Sequence, residues 1–336
     1  MSSNRTKDLS LENAPMTLAC CVCGTPKASV WRVAPDHILG GETRFRAVRC
    51  LRCGTARLDP RPSDAEMSRH YTTETYARAE DRDGAPSELA RRLNEYNRRL
   101  AARAAASLNR PVSESRTLDV GCGDGRFLAA MIALGGQAEG LETDPVAAAL
   151  ARRRTGGQIH EAPLEQASLP GASFDLVSLL HVLEHVPDPR VTLIEAKRLL
   201  KPGGTLLLAL PNAGSLEASV FGSTWYPLDL PRHFWGFSPR TLARLVEECG
   251  FEAPAFRHFP LLFLPQSLRY SLSSKDRDPK GEVPASASEK GGGRTKTRVF
   301  LSLLTLSETL GRHFPGEVME MTAQTPQSGI GVGGTR

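Results

Sequence analysis

Residues Thr117 to Leu128, T-L-D-V-G-C-G-D-G-R-F-L, constrain the fold of this chain more than any other stretch. An apolar run ends at Val120, glycine stands at 121, 123 and 125, and a helical pattern starts at Phe127. Glycine reaches backbone conformations closed to other residues and lets main chain come close to a ligand. Strand, glycine turn and helix N-terminus in that order make a nucleotide-binding corner. Roughly twenty residues further on, Gly140-Leu-Glu-Thr-Asp144 ends the next apolar run with Glu142, an acid placed to hold a ribose diol.

The spacing sorts among nucleotides. A dinucleotide fingerprint reads G-x-G-x-x-G, whereas this turn reads G-x-G-x-G, and it lacks the Lys-Ser/Thr of a phosphate loop. Asp119, two residues before the first glycine, is poor company for a pyrophosphate and good company for a cation. The run D-V-G-C-G-D-G resembles motif I of the class I S-adenosylmethionine methyltransferases. F-D-L-V at 174–177, H-V-L-E-H-V at 181–186, L-L-K-P-G-G at 199–204 and P-N at 211–212 resemble the later motifs, in the same order. The resemblance runs from 116 to 260. It implies a Rossmann-like α/β sheet of six parallel strands and one antiparallel. The alternation of strands and helices independently asks for a parallel sheet covered on both faces.

The same resemblance implies the donor site. Gly121 and Gly123 would let backbone pass the methionine part of the donor, and Asp119 would orient the loop and the ligand's ammonium group. Glu142 would accept the ribose hydroxyls and Thr143 would flank the adenine. Leu164, in Ala162-Pro-Leu-Glu165, and His181, after the fourth strand, would complete the cofactor set; Ala162 stands where relatives often carry Asp.

A hydroxyl acceptor needs a base or a metal near neutral pH. His181, Glu184 and His185 have the spacing of one helical face. In ubiquinone-pathway O-methyltransferases a similar E-x-x-E-H run binds a divalent cation, but His181 replaces the first acid here, which weakens a hard-cation site. The expectation is therefore a general base at His185 or a purely structural cap, with a catalytic cation as the lesser alternative. Thr224 to Phe237, T-W-Y-P-L-D-L-P-R-H-F-W-G-F, resembles H-x-x-F-S segments of sugar methyltransferases and is expected to form a lid. Tyr226 and His233 are the further catalytic candidates on it, and Arg232 is the candidate for binding an anionic acceptor through forked hydrogen bonds.

Five of seven cysteines fall between 20 and 53. Cys20-x-x-Cys23-Gly and Cys50-x-x-Cys53-Gly are paired knuckles, the spacing of a closed tetrahedral zinc site whose metal is structural. Disulfides are the alternative, disfavoured in a cytoplasmic setting. A ribbon of this size buries little by itself, so metal is expected to hold it together. This ribbon, D-P-R-P at 59–62 and a class I domain together resemble a bacterial methyltransferase group, many of whose members act on sugars or other small metabolites.

The expected organisation is a disordered leader at 1–16, ribbon at 17–60, helical linker and cap at 61–115, methyltransferase domain at 116–325 with an insertion at 261–314, and a disordered tail at 326–336. Apolar residues at 89, 93, 96, 100, 104 and 108 predict a helix from Ser87 to Leu108 that closes over the cofactor. Phe251–Pro260 and Val318–Gln324 are the expected last two strands. Most of the formal charge of +5 sits between Arg269 and Arg298, where eight Lys/Arg face four acids among Pro, Gly and Ser. That composition reads as a solvated loop and not as a nucleic-acid platform. No apolar run of membrane-spanning length exists, so the chain is expected in the cytoplasm, acting on a small-molecule acceptor, with the insertion covering the site or forming a homodimer face. The competing readings are a zinc-ribbon RNA-base methyltransferase and a non-catalytic scaffold.

Overall fold

The structure, a computed structural model, describes residues 16–71, 88–260, 263–273, 309 and 315–327. The leader, the tail beyond 327 and most of the 261–314 insertion lie outside the described residues.

Three strands, β1 (Ala28–Pro35), β2 (Arg44–Cys50) and β3 (Ala56–Leu58), form an antiparallel N-terminal sheet. A short helix, α1 (Asp64–Met67), follows, and then α2 (Glu88–Ala106), matching the predicted amphipathic helix within two residues. The larger domain then alternates: β4 (Arg116–Val120), α3 (Arg126–Ala133), β5 (Gln137–Leu141), α4 (Pro145–Thr155), β6 (Ile159–His160), β7 (Phe174–Leu180), α5 (Pro189–Leu199), β8 (Leu200–Pro211) and α6 (Leu216–Phe221). It closes with β9 (Trp235–Gly236), α7 (Pro239–Glu248), β10 (Glu252–Phe259), α8 (Leu264–Ser273) and β11 (Val318–Gln324).

Seven strands make one sheet in the order β10-β11-β8-β7-β4-β5-β6. β4 pairs in parallel with β5 and β7, and β7 with β8, while β11 runs antiparallel to both β8 and β10. The predicted six-plus-one sheet is present, and β11 spans the predicted residues. Helix starts follow local chemistry. Asp144 and Asp188 cap α4 and α5 by accepting from the second and third amides, each with proline at the first helical position. Ser238 and Thr241 form a reciprocal capping box on α7. Lys201-Pro-Gly-Gly204, expected as the turn that ends α5, does turn: Leu200 leaves the helix in β conformation opposite Phe174, Gly203 has φ +70°, and parallel pairing with β7 resumes only at Thr205 opposite Leu176.

The N-terminal sheet is not self-contained. β9, from the expected lid, pairs antiparallel with β3 and becomes its fourth strand, Ala56 opposite Gly236 and Arg57 opposite Trp235. One apolar core runs from Val22, Ala47 and Leu58 through Trp225, Phe234 and Phe237 to Leu179 and Leu208 in the large sheet. The ribbon thus shares its core with the larger domain, and that burial holds it in place. Leu100, Ala101 and Ala104 of α2 bury against Phe127 and Met131 of α3. Among the described residues no helix is long and apolar enough to cross a membrane.

Candidate functional site

The glycine turn lies at the carboxyl end of β4, the edge where ligands bind in open parallel sheets. Gly121, Gly123 and Gly125 have φ of +66°, +54° and +79°. A Cβ on Gly121 would stand 2.6 Å from Val182 Cγ2, whereas one on Gly123 would meet nothing within 4 Å. Gly121 therefore packs the turn against the loop after β7, and Gly123 faces open space where a ligand can sit.

Glu142, 8% exposed at the end of β5, accepts from the Gly123 amide at 2.8 Å and from the Asp144 amide at 2.8 Å. It pins the turn and the start of α4 together. Thr143 beside it is exposed. Asp119 is buried and accepts from the Ser178 hydroxyl at 2.7 Å. Burial raises its pKa to about 7, Glu142 adds to the rise, and the Ser178 bond opposes it. A neutral Asp119 beside an open turn is a group that a cationic ligand would ionise. Leu164 is buried in a 3-10 turn, which Thr192 ties to α5 through Glu165 at 2.8 Å. Arg126, buried at the start of α3, bonds Asp124, Asn94 and the Ala90 carbonyl, so α2 is held down beside the turn. Asp119, Gly121, Gly123, Glu142 and Thr143 thus stand together at the carboxyl ends of β4 and β5.

After β7 the chain turns sharply. His181 has φ +56°, uncommon for a residue with a side chain, and its amide donates to the Ala209 carbonyl at 2.7 Å. Glu184 is 1% exposed, and its carbonyl accepts from the Phe234 and Trp235 amides of the lid. His181 Nδ1 lies 3.4 Å from Glu184 Oε1 without hydrogen-bond geometry, and neither oxygen of that carboxylate has a hydrogen-bond partner. Burial alone would raise the Glu184 pKa, but His181, His185 and His233 outweigh it and hold it at about 2. His185 and His233 meet edge to face, ring centroids 4.6 Å apart. Burial and then His233 lower the His185 pKa to about 4, so this imidazole is neutral. Glu184, His185 and His233 each bring a ligand atom to within 4.8 Å of the others.

Arg232 differs from expectation. Its fork is committed inside the protein: Nη1 and Nη2 each donate to Asp36 at 2.8 Å, Nε donates to Asp229 at 3.0 Å, and Nη1 reaches the His70 carbonyl at 3.3 Å. At 4% exposure it has no donor fork to offer an acceptor. It clamps the 224–237 segment, which is buried in the shared core, to the hairpin after β1. Asp36 gave no signal in sequence, being one acid in a loop; burial pushes its pKa up, but Arg232, the Leu39 amide and His70 hold it at about 2. Tyr226 stands among aromatic rings, 5.3 Å from Phe263 and 5.5 Å from Tyr270, and burial raises its pKa.

In the ribbon, Cys20 Sγ lies 3.4 Å from Cys53 Sγ and Cys23 Sγ lies 3.5 Å from Cys50 Sγ. All four sulfurs fall within 4.8 Å of one another. Gly24 and Gly54, both at positive φ, close the two knuckles by donating to the Cys20 and Cys50 carbonyls at 2.8 and 3.0 Å. The Val22 and Cys23 amides approach the Cys20 sulfur, and those of Arg52 and Cys53 approach Cys50. Cys21 is outside the cluster.

A family model described as a methyltransferase domain matches residues 89–254. The chain is 31% identical over 198 residues to a ubiquinone biosynthesis O-methyltransferase of Cereibacter sphaeroides, covering 55% of this chain and 79% of that protein. Its likeness to the protein of the same name from Dinoroseobacter shibae is 32% over the same shares. A solved SAM-dependent methyltransferase of Thermotoga maritima aligns with 71% of this chain and 98% of its own, at 22% identity and a TM-score of 0.43. The open glycine turn, the carboxylate that holds it, the family model and the ubiquinone-pathway relatives agree: the chain belongs to the class I methyltransferases and is an S-adenosylmethionine-dependent enzyme.

Proposed function

We propose that this enzyme methylates a hydroxyl of a small-molecule acceptor, with His233 receiving the acceptor proton and Glu184 and His185 positioned beside it. The observation that carries the reading is the close grouping of Glu184 and His185, after β7, with His233, just before β9, β7 being the strand next to β4 and its glycine turn. His233 Nδ1 lies 2.9 Å from the Pro227 carbonyl, and His185 Nδ1 lies 3.0 Å from the Arg232 carbonyl. A carbonyl only accepts, so each Nδ1 carries a proton, which leaves Nε2 as the ring nitrogen that can take one. Bound S-adenosylmethionine supplies a methyl group on a positive sulfur. Asp119, Gly121, Gly123, Glu142, Thr143, Leu164 and His181 would hold that donor. The glycine turn and the 224–237 segment would align the acceptor oxygen, and His233 Nε2 would take its proton as that oxygen accepts the methyl group and the sulfur–methyl bond breaks. Tyr226 would line the acceptor side.

The names of the relatives from ubiquinone biosynthesis support O-methylation. A sugar-like acceptor rests on the motif resemblance alone. Cys20, Cys23, Cys50 and Cys53 would hold a structural zinc ion, since four thiolates within reach of one point leave no open position for catalysis.

A second reading has its own support. Two imidazole lone pairs and a buried carboxylate without hydrogen bonds are also a ligand set for a divalent cation. Metal analysis separates the two: one equivalent fits zinc in the ribbon alone, two equivalents favour a cation at Glu184.

The test of the main reading is calorimetric binding of S-adenosylmethionine and S-adenosylhomocysteine, followed by a mass-shift screen of metabolite pools with labelled donor. Saturable donor binding with a labelled small molecule supports it. Donor binding with label passing only to RNA would overturn it.

A further inference from the structure

We infer that Arg32 and Arg49, set over the ring of Trp31, form a binding site for a phosphate or diphosphate group carried by the acceptor. The inference rests on the small-molecule reading and extends it to the acceptor's chemistry.

Arg32 on β1 stands opposite Ala47 on β2, and Arg49 is two residues further along β2, so strand alternation puts both arginines on one face. That face packs against the segment after β8. Arg49 Nη2 donates to the Ala213 carbonyl at 2.9 Å and Arg32 Nη2 to the Ala218 carbonyl at 3.5 Å. Arg32 also bonds the Trp31 carbonyl at 2.8 Å and lies against Gly222. Residues 213–222 leave the carboxyl end of β8, the edge of the sheet that carries ligands in such folds.

These two guanidiniums differ from their neighbours. Arg46 and Arg57 lie near Asp59, Arg103 meets Glu320, Arg126 meets Asp124, Arg190 meets Glu248 and Arg232 meets Asp36. Arg32 and Arg49 meet no carboxylate among the described residues. Instead they stand 5.1 and 4.4 Å from the centroid of the same Trp31 ring. Each has a buried Nε with no partner. Burial first, and then the charge of Arg32, lower the Arg49 pKa. Two like charges brought together with donors unused are unfavourable until an anion joins them. Paired forks match the several oxygens of a phosphate better than they match a lone carboxylate.

Trp31 and His233 line one small cavity together with Ala213 and Trp225, which places the ring beneath the two arginines on the same side of the molecule as His233. An anion held at the arginine pair would tether its molecule beside the Glu184–His185–His233 group. The adjoining surface argues for a small molecule over a nucleic-acid strand. Leu216 and Val220 on α6 are 72% and 68% exposed, an apolar flank that offers nothing to a chain of phosphates.

The full-length, zinc-loaded protein is titrated by calorimetry with inorganic pyrophosphate and, separately, with a nucleoside diphosphate, with S-adenosylhomocysteine present. The expected result is saturable binding of both, weakened at least tenfold in Arg49→Ala and in Arg32→Ala while S-adenosylhomocysteine affinity is unchanged. A preference for the nucleoside diphosphate over pyrophosphate says that the ring system of the acceptor also binds. Should Arg49→Ala not fold, Arg49→Lys decides: it keeps the charge, loses the fork and weakens pyrophosphate severalfold. Absence of pyrophosphate binding to the native protein, undiminished binding in Arg49→Lys, or retention of RNA in place of pyrophosphate overturns the inference. Failure to bind S-adenosylhomocysteine at all strikes instead at the donor reading beneath it.

Discussion

Arg232 and Asp36, 196 residues apart in the chain, are joined by two hydrogen bonds of 2.8 Å, one from each terminal nitrogen. Both are almost fully enclosed, with side chains 5% and 2% exposed. This clamp, with β9 added to the ribbon sheet, makes the ribbon part of the wall behind His233.

Breaking that clamp should cost stability. Asp36→Asn leaves the Arg232 charge half-matched in a buried place, a change worth about 3–5 kcal/mol. Denaturant unfolding measures it. The sign with pH follows from the Asp36 pKa, held at about 2 in the fold. A depressed carboxylate stabilises above its unfolded value and loses that contribution as pH falls toward 2, so the native protein should weaken in acid more than the variant does. Equal acid sensitivity in both would remove the clamp from the account.

Asp119 predicts the opposite slope and a donor effect. Its pKa of about 7 in the free protein lies above the unfolded value, so its ionisation opposes folding and ligand-free stability falls as pH rises from about 4 to 7. A cationic donor favours the ionised form, and binding below pH 7 releases a proton. Donor affinity should fall by up to about tenfold per pH unit below 7. Asp119→Asn should bind more weakly and show no such slope. Calorimetry in buffers of different ionisation enthalpy counts the proton; none released means that Asp119 does not face the donor.

Glu142→Ala removes the acceptor of the Gly123 and Asp144 amides and the expected ribose contact together. Donor affinity should drop at least tenfold, about 1.4 kcal/mol. Unchanged affinity by calorimetry rules out the ribose assignment.

His233→Ala should lower turnover by about 10²-fold or more while leaving donor affinity within about twofold. Single-turnover kinetics beside a donor titration read the two apart. Loss of donor affinity with turnover intact would place His233 away from the acceptor.

Removing metal from the ribbon should reach the lid. Cys50→Ser, or chelation, should release one equivalent of zinc and loosen β3, to which β9 is paired. Hydrogen exchange at Trp235 and Gly236 should rise along with exchange in the ribbon. Protection at β9 that survives metal loss would show that the shared apolar core alone holds the two together.

The glycine corner was legible because it is local. A strand, three glycines at fixed intervals and an acid at the end of the next strand are each set by neighbours within a few residues. The caps Asp144-Pro145, Asp188-Pro189 and Ser238-Pro239 are as short-ranged, and β11 was readable from its apolar run. Lys201-Pro-Gly-Gly204 was legible for the same local reason, its glycine at positive φ making the turn between Leu200 and Thr205.

The amino-acid order alone determined the parallel sheet, the donor corner and the two cysteine knuckles, since each follows from periodicity, backbone permissiveness or ligand spacing. Only the tertiary structure decided which charges are spent and which remain available. Arg232, a sequence candidate for binding an acceptor, is consumed by Asp36, while Arg32 and Arg49 are left without an acid among the described residues. Charge pairing between distant segments depends on which chains the core brings together, and that is settled by packing over the whole molecule.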